Sequence, residues 1–210
     1  MGPSQGVRLR RAGMPSCTSV RLTGGLTVPE CLALSALLNA SKSYLEFGAG
    51  VSTRFAAASP SLARIVSIES DQAYINQTRA FLADHNRVEF RLAPVGRTGL
   101  FGYPLNRSVS VAQYTSVLKP GETFDLVLVD GRFRIAAAAR SHRHLSKTGT
   151  SRLLVHDFAR RPAYAREMLN SSLYRLIEEV ESLAVFAPVF YRGDVWWAQR
   201  MEDAHARDMT

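Results

Sequence analysis

An α/β fold, a doubly wound sheet sandwiched between helices, is what this sequence predicts, on three observations. From Ser43 onward short β-rich runs alternate with longer helical segments, the rhythm of parallel strands joined by crossover helices. The run Tyr44-Leu45-Glu46-Phe47 passes directly into Gly48-Ala49-Gly50 and a helix start at Val51-Ser52-Thr53. Backbone stripped of Cβ atoms lets another group lie against it there. Acidic residues also close the apolar runs: Glu69 follows Ile65-Val66-Ser67-Ile68, and Asp130 follows Leu126-Val127-Leu128-Val129. The interval from Glu46 to Glu69 fits one strand–helix–strand unit, which is how such a sheet holds a nucleoside. With 210 residues, 46% of them hydrophobic, the chain can fill one sizeable core but not two.

The elements follow in order. Residues 1–26, rich in Gly, Pro, Ser and Arg and without apolar periodicity, read as a flexible arm; 27–203 form the single domain and 204–210 a tail. Thr27 and Glu30 stand at capping-box spacing with Pro29 in the first turn, so Leu32 to Leu38 is predicted helical. Then come strand 43–47, helix 51–58, strand 64–68, helix 71–84 and strand 87–92. Residues 94–107, punctuated by Pro94, Gly96, Gly99, Gly102 and Pro104, read as a loop at the strand ends. A helix near 109–118 leads to 124–129, whose almost continuous apolar character marks a strand buried on both faces. Helix 133–145, strand 152–156, helix 162–171 and β-rich stretches near 173–186 and 194–200 complete the pattern.

Composition narrows the function. No apolar run approaches the roughly 18 residues of a membrane span, and the start lacks a signal-like apolar stretch, so a soluble cytoplasmic protein is expected. Cys17 and Cys31, the two cysteines, have no CxxC spacing; neither a zinc site nor a disulfide framework is expected. The formal charge of +8 is unevenly spread: residues 131–166 hold eight Arg and Lys147 against Asp157 alone. That segment is either a solvated basic face or a field for an anionic partner. No aromatic-interleaved basic repeat supports RNA, so a small-molecule acceptor is favoured while the basic segment keeps nucleic acid open. Oligomeric state is not readable.

In an open parallel sheet, ligands bind beyond the carboxyl ends of the strands. Those ends are Glu46 to Ser52, Glu69 and Ser70, Ala93 to Gly96, Asp130 to Arg134, and His156 with Asp157. Leu45-Glu46-Phe47-Gly48-Ala49-Gly50-Val51-Ser52-Thr53 resembles the first motif of the class I S-adenosylmethionine-dependent methyltransferases. Ser67-Ile68-Glu69-Ser70-Asp71 resembles the second, and Phe124-Asp125-Leu126-Val127-Leu128-Val129-Asp130-Gly131 the fourth. The resemblance implies a seven-stranded, mostly parallel sheet with an antiparallel last strand. It implies S-adenosylmethionine as cofactor, held by Glu46, Phe47, Gly48, Ala49, Gly50, Ser52, Thr53, Glu69, Ser70 and Asp130. Glu46 would help hold the ammonium, Gly48 and Gly50 would line the methionine part, and Glu69 would bind the ribose hydroxyls. The acid that often contacts adenine after strand three is missing from Ala93-Pro94-Val95-Gly96. A cationic cofactor also suits the residues better than a pyrophosphate, which Glu46 would repel, and Thr53 replaces the third glycine of a dinucleotide loop.

Asp130, His156 and Asp157 are the catalytic candidates. Asp130, ending a buried strand, can orient a nucleophile, pair with an arginine or bind a divalent cation. Catechol-type O-methyltransferases, which this part resembles, hold magnesium with acids after strands four and five. Here His156-Asp157-Phe158 departs from that pattern, and no metal is assigned. His156 is a general base or a structural cap of the strand end. Arg132 and Arg134 either clamp an anionic acceptor or neutralise Asp130, the internal pair being favoured because a buried lone carboxylate is costly. His142 and His144 read as surface residues, and Trp196-Trp197 as core or pocket wall. The expected activity is methyl transfer to oxygen or nitrogen of a small anionic or sugar-like acceptor. The rivals are a catalytically silent nucleoside-binding protein of the same fold and a nicotinamide-dependent oxidoreductase.

Overall fold

The structure, a computed structural model, describes residues 16–17, 25–99, 104–105 and 111–190. Thr27 opens the lead helix α1 (Val28–Ala40) with a complete capping box: its Oγ1 accepts from the Glu30 amide while Glu30 Oε2 accepts from the Thr27 amide. Then follow β1 (Ser43–Phe47), α2 (Val51–Ala58), β2 (Arg64–Glu69), α3 (Gln72–Ala80), β3 (Glu89–Leu92) and α4 (Val111–Thr115). The chain continues with β4 (Leu126–Val129), α5 (Arg134–Ser141), β5 (Arg152–Val155), α6 (Pro162–Leu169), β6 (Tyr174–Val180) and β7 (Leu183–Pro188).

The seven strands form one sheet in the order β3-β2-β1-β4-β5-β7-β6, with β7 antiparallel to both its neighbours and the rest parallel. Alternation along the strands divides the core into two layers. Leu45, Phe47, Val127, Val129, Leu153 and Val155 pack toward α4, α5 and α6. Tyr44, Leu126, Leu128 and Leu154 pack toward α1 and α2. Strand order reverses between β1 and β4, so the glycine loop after β1 and the Asp130-Gly131 turn after β4 meet at the switch point.

Three expectations are corrected. The late β-rich region is two strands folded back on each other within 174–188, turned at Glu181, whose φ is 54°; the strand expected at 194–200, with Trp196 and Trp197, lies outside the described residues. Cys17 and Cys31 are joined in a disulfide. His142 and His144 are buried, not exposed: His142 Nε2 lies 2.9 Å from the Val189 carbonyl, and His144 Nδ1 2.9 Å from that of Glu122. Both rings bond loop carbonyls where α5 tightens into a 3-10 turn. Among the described residues, no helix is long and apolar enough to cross a membrane.

Candidate active site

The glycine loop is packed against the next motif, backbone to backbone. Gly48 has φ +97°, and a Cβ on it would stand 2.7 Å from the Gly131 amide nitrogen. A Cβ on Gly131 would in turn stand 2.9 Å from the Gly48 nitrogen. Each glycine is therefore required by the other. The Asp130 amide donates to the Phe47 carbonyl at 2.8 Å and the Gly48 amide to the Ile68 carbonyl at 2.8 Å, locking three strand ends together. Gly50 differs: its φ of 164° is ordinary extended backbone, and a Cβ there would meet the Tyr74 hydroxyl at 3.4 Å. The open side of the loop is at Gly50, beneath Tyr74.

Glu46 stands behind that loop. It is fully buried, and its carboxylate accepts from the hydroxyls of Tyr44 (3.0 Å), Ser52 (2.7 Å), Ser67 (2.7 Å) and Thr53. Thr53 Oγ1 also accepts from the Gly50 amide at 2.8 Å, so the chain Gly50, Thr53, Glu46 fixes the loop onto the sheet. Burial pushes the Glu46 carboxyl up while the four hydroxyls pull it back, leaving it above the usual range. Both Glu46 oxygens are thus engaged with the protein's own hydroxyls. Phe47 is likewise buried, its ring centroid 5.9 Å from that of Tyr114, and Ser52 and Thr53 face Glu46. These four residues shape the loop from behind.

Glu69 closes β2 from the front of the loop. Its Oε2 accepts from the Ala49 amide at 3.1 Å, and its Oε1 from the Ser70 amide (2.5 Å), the Ser70 hydroxyl (3.0 Å) and the Asp71 amide (3.1 Å). Asp71 then caps α3 through the Ala73 and Tyr74 amides. This brings the Tyr74 hydroxyl over Gly50, where burial and then the charges of Glu69, Asp130 and Glu46 hold it above the usual phenol range. Sequence reasoning did not find Tyr74, and it named Ser67 and Gly131 only as parts of the second and fourth motifs and strand ends, without these roles. Ser67 carried a signal, a lone hydroxyl inside the apolar run Ile65 to Ile68, and it stands directly opposite Glu46 in the β1–β2 register.

At the ends of β4 and β5 a second constellation forms around Arg134, which is almost fully buried. Its Nη2 lies 3.0 Å from Asp130 Oδ1 and its Nη1 3.0 Å from Asp157 Oδ2. Its remaining donors go to the Gly131, Asp130 and His156 carbonyls. Arg134 thus forms the expected internal pair with Asp130; the Arg132 amide donates to the Tyr114 hydroxyl at 3.4 Å. Two residues with left-handed backbone frame the constellation, Phe133 (φ 51°) and Asp157 (φ 56°). Such strain persists only where surrounding bonds fix it, and here Arg134 supplies them.

His156 Nδ1 lies 2.9 Å from Asp130 Oδ1, and its Nε2 3.4 Å from Oε2 of Glu30 on α1. Burial alone would push the imidazole down. The bond to Asp130 and the charges of Asp130, Asp157 and Glu30 outweigh it and hold His156 above its ordinary value. With a carboxylate at each ring nitrogen, the surroundings of His156 favour its charged form over the neutral form that a general base needs.

One ligand atom each of Asp130, His156 and Asp157 lies within 4.8 Å of the others, a spacing a divalent ion would accept. The donors nevertheless do not fit one. A guanidinium bridges the two carboxylates, and both imidazole nitrogens already face carboxylates.

No protein-family model and no curated protein matches this sequence. Solved structures do. A methyltransferase-like protein from Silicibacter pomeroyi superposes with a TM-score of 0.68 at 24% identity, over 83% of this chain and 93% of that one. The O-methyltransferase TomG from Streptomyces achromogenes, in complex with S-adenosylmethionine, gives 0.55 at 19% identity over 79% and 82%. An O-methyltransferase from Bacillus cereus, in complex with S-adenosylhomocysteine, gives 0.51 at 18% identity over 83% and 84%. The chain has the Rossmann-like fold of class I S-adenosylmethionine-dependent methyltransferases.

Proposed function

We propose that this protein transfers a methyl group from S-adenosylmethionine to an oxygen or nitrogen of a small acceptor that is anionic or sugar-like. The observation that carries this reading is the pair of carboxylates, Glu69 and Asp130, flanking a Gly50 cradle that a Cβ would begin to fill. A ligand with hydroxyls and positive charge suits such a cradle better than a phosphate does.

S-adenosylmethionine would supply a methyl already activated by a sulfonium, so the protein's share of the work is positioning and exclusion of water. Glu69 would hold the ribose hydroxyls, Gly50 and Ala49 would let the ligand lie on the main chain, and Tyr74 would cover it. Asp130 Oδ1 is bound by Arg134 and His156, while its Oδ2 makes no hydrogen bond among the described residues and the side chain is 27% exposed. That oxygen would orient the acceptor and take its proton. Arg160 and Arg161, 3.7 and 3.8 Å from Asp157, exceed the single charge they share with Arg134. This excess favours an anionic acceptor.

The test is calorimetry with S-adenosylhomocysteine, NAD and NADP in parallel, followed by methyl-transfer assays on carboxylate- and sugar-bearing acceptors. We expect S-adenosylhomocysteine alone to bind, and at one hundred times its dissociation constant to stabilise the fold by about 2.7 kcal/mol. Binding without transfer to any acceptor would favour a silent nucleoside-binding protein; stabilisation by NAD alone would overturn the proposal.

A further inference from the structure

Glu30 belongs to no strand end, yet it reaches the constellation around Asp130. As the third residue of α1 it completes the capping box, which needs one carboxylate oxygen at a helix surface. Here the side chain is fully buried. Oε1 accepts from the Ser182 amide (2.8 Å) and hydroxyl (2.6 Å) in the β6–β7 turn. Oε2 accepts from the Thr27 amide and faces His156 Nε2 at 3.4 Å. Burial would raise this carboxyl, but the Ser182 and Thr27 bonds and the His156 charge outweigh it and hold it below the usual range. A carboxylate kept ionised in the core needs a positive partner, and the imidazole is that partner.

We propose that Glu30 is a positioning residue that holds His156 as an imidazolium. His156 and the Arg134 guanidinium together then supply, at Asp130 and Asp157, the positive charge that a divalent ion provides at other strand-end carboxylate sites. The groups facing His156 are Glu30 from α1, Asp130 from the end of β4, Asp157 beside it after β5, and Arg134 from α5, whose Nη1 donates to the His156 carbonyl. Three carboxylates and one guanidinium face the ring, with Arg160 and Arg161 reaching Asp157 at 3.7 and 3.8 Å. The ring is thereby fixed as a donor from both nitrogens, Asp130 keeps one oxygen bound, and the other is presented to the acceptor. This role rests on the reading of Asp130 given above.

The experiment reads His156 itself, in the full chain without cofactor, by nitrogen-15 and proton NMR of the histidine rings across pH. In the native protein we expect both His156 nitrogens to stay protonated through neutrality, with a midpoint above the ordinary value of about 6.5. Glu30→Gln should lower that midpoint by about one unit, a tenfold loss of imidazolium at a given pH. Ser182→Ala removes a bond to Glu30 without removing its charge. It should leave the midpoint high even where it lowers the melting temperature, so a merely structural Glu30 would make the two variants alike. Manganese at millimolar concentration should not broaden the His156 signals. The proposal is overturned by a native midpoint at or below about 6.5, by a midpoint that Glu30→Gln leaves unmoved, or by selective broadening with manganese. Should Glu30→Gln not fold, the native titration and the manganese arm still decide. Binding of S-adenosylhomocysteine, measured separately, tests the methyltransferase reading without bearing on these outcomes.

Discussion

At the scale of single residues, the two glycines of the loop do different jobs that their sequence positions conceal. Gly48 is shut in by Gly131 and must have a left-handed φ, whereas Gly50 has ordinary backbone and open space up to Tyr74. Gly48→Ala should therefore damage the fold, by about 1–3 kcal/mol of overpacking in urea unfolding. Gly50→Ala should leave unfolding within about 0.5 kcal/mol of the native value yet weaken S-adenosylhomocysteine binding at least tenfold in calorimetry. Equal effects on stability would refute the assignment. The motif was legible because a glycine loop after an apolar strand is a local pattern. The pairing of Gly48 with Gly131 was not, since it joins residues whose proximity exists only once β1 and β4 lie side by side. Glu46 shows the same limit: its acidity was visible, but not the four hydroxyls around it. Glu46→Ala would leave those buried donors without their acceptor, and at about 1–3 kcal/mol for each unsatisfied group a loss of at least about 3 kcal/mol is expected by denaturant titration.

Among the elements, α1 is tied to the rest of the molecule more heavily than its place ahead of the sheet suggested. Its first turn carries Glu30, bonded to the β6–β7 turn and His156, and then Cys31, bonded to Cys17. Two isolated cysteines without a spacing motif gave the sequence no basis for pairing them; Cys31 is buried on the helix, and Cys17 meets it there. A disulfide closing a loop with a sequence separation of 14 stabilises by about 3 kcal/mol through the unfolded chain. Unfolding under non-reducing conditions should therefore lie above that in dithiothreitol by about that amount, and the denatured, unreduced protein should show no reactive thiol. The paired strands β6 and β7 escaped separation for a related reason: their turn sits at Glu181-Ser182, and a glutamate in left-handed backbone carries none of the Gly, Asn or Pro punctuation by which a hairpin is read. The parallel strands were legible because burial on both faces leaves a continuous apolar run. The contrast lies in where the information resides, in composition for the central strands and in one backbone dihedral for the last pair.

Across the whole molecule, the distribution of charge sets how stability should depend on pH. The basic block 131–166 is partly absorbed inside: Arg134 is spent on Asp130 and Asp157, and Arg152 on the Gly149 and Ser151 carbonyls. On the opposite edge of the sheet Arg91, buried, makes paired bonds to Glu122, which also meets Arg64. The Arg91 bonds first, and then the Lys119 amide and Arg64 against the opposing effect of burial, bring the Glu122 carboxyl down to about 2. Hydrogen bonds and charges likewise outweigh burial at Glu30, Glu89 and Asp125 and hold them low. A carboxyl lowered by folding contributes fully above its unfolded value, and that contribution is lost as pH falls through its folded value. Stability should then drop from about pH 4.5 downward, the loss from Glu122 continuing to about pH 2. His156 carries the opposite sign: raised by folding, it contributes fully below about 6.5, and the contribution is lost as pH climbs through its folded midpoint. His144, lowered by burial, acts in a different window: it adds stability as pH rises through its folded value toward about 6.5 and is level above that. Replacing His144 by Asn removes that gain. Urea midpoints of the His144→Asn protein should then rise less than those of the native chain as pH climbs toward about 6.5 and run parallel to them above it, while Glu122→Gln should flatten the acid limb as well as lower the whole curve. If neither limb changes shape, the buried charges do not govern the stability of this fold, and the burial of Glu30 against His156 would need another cause.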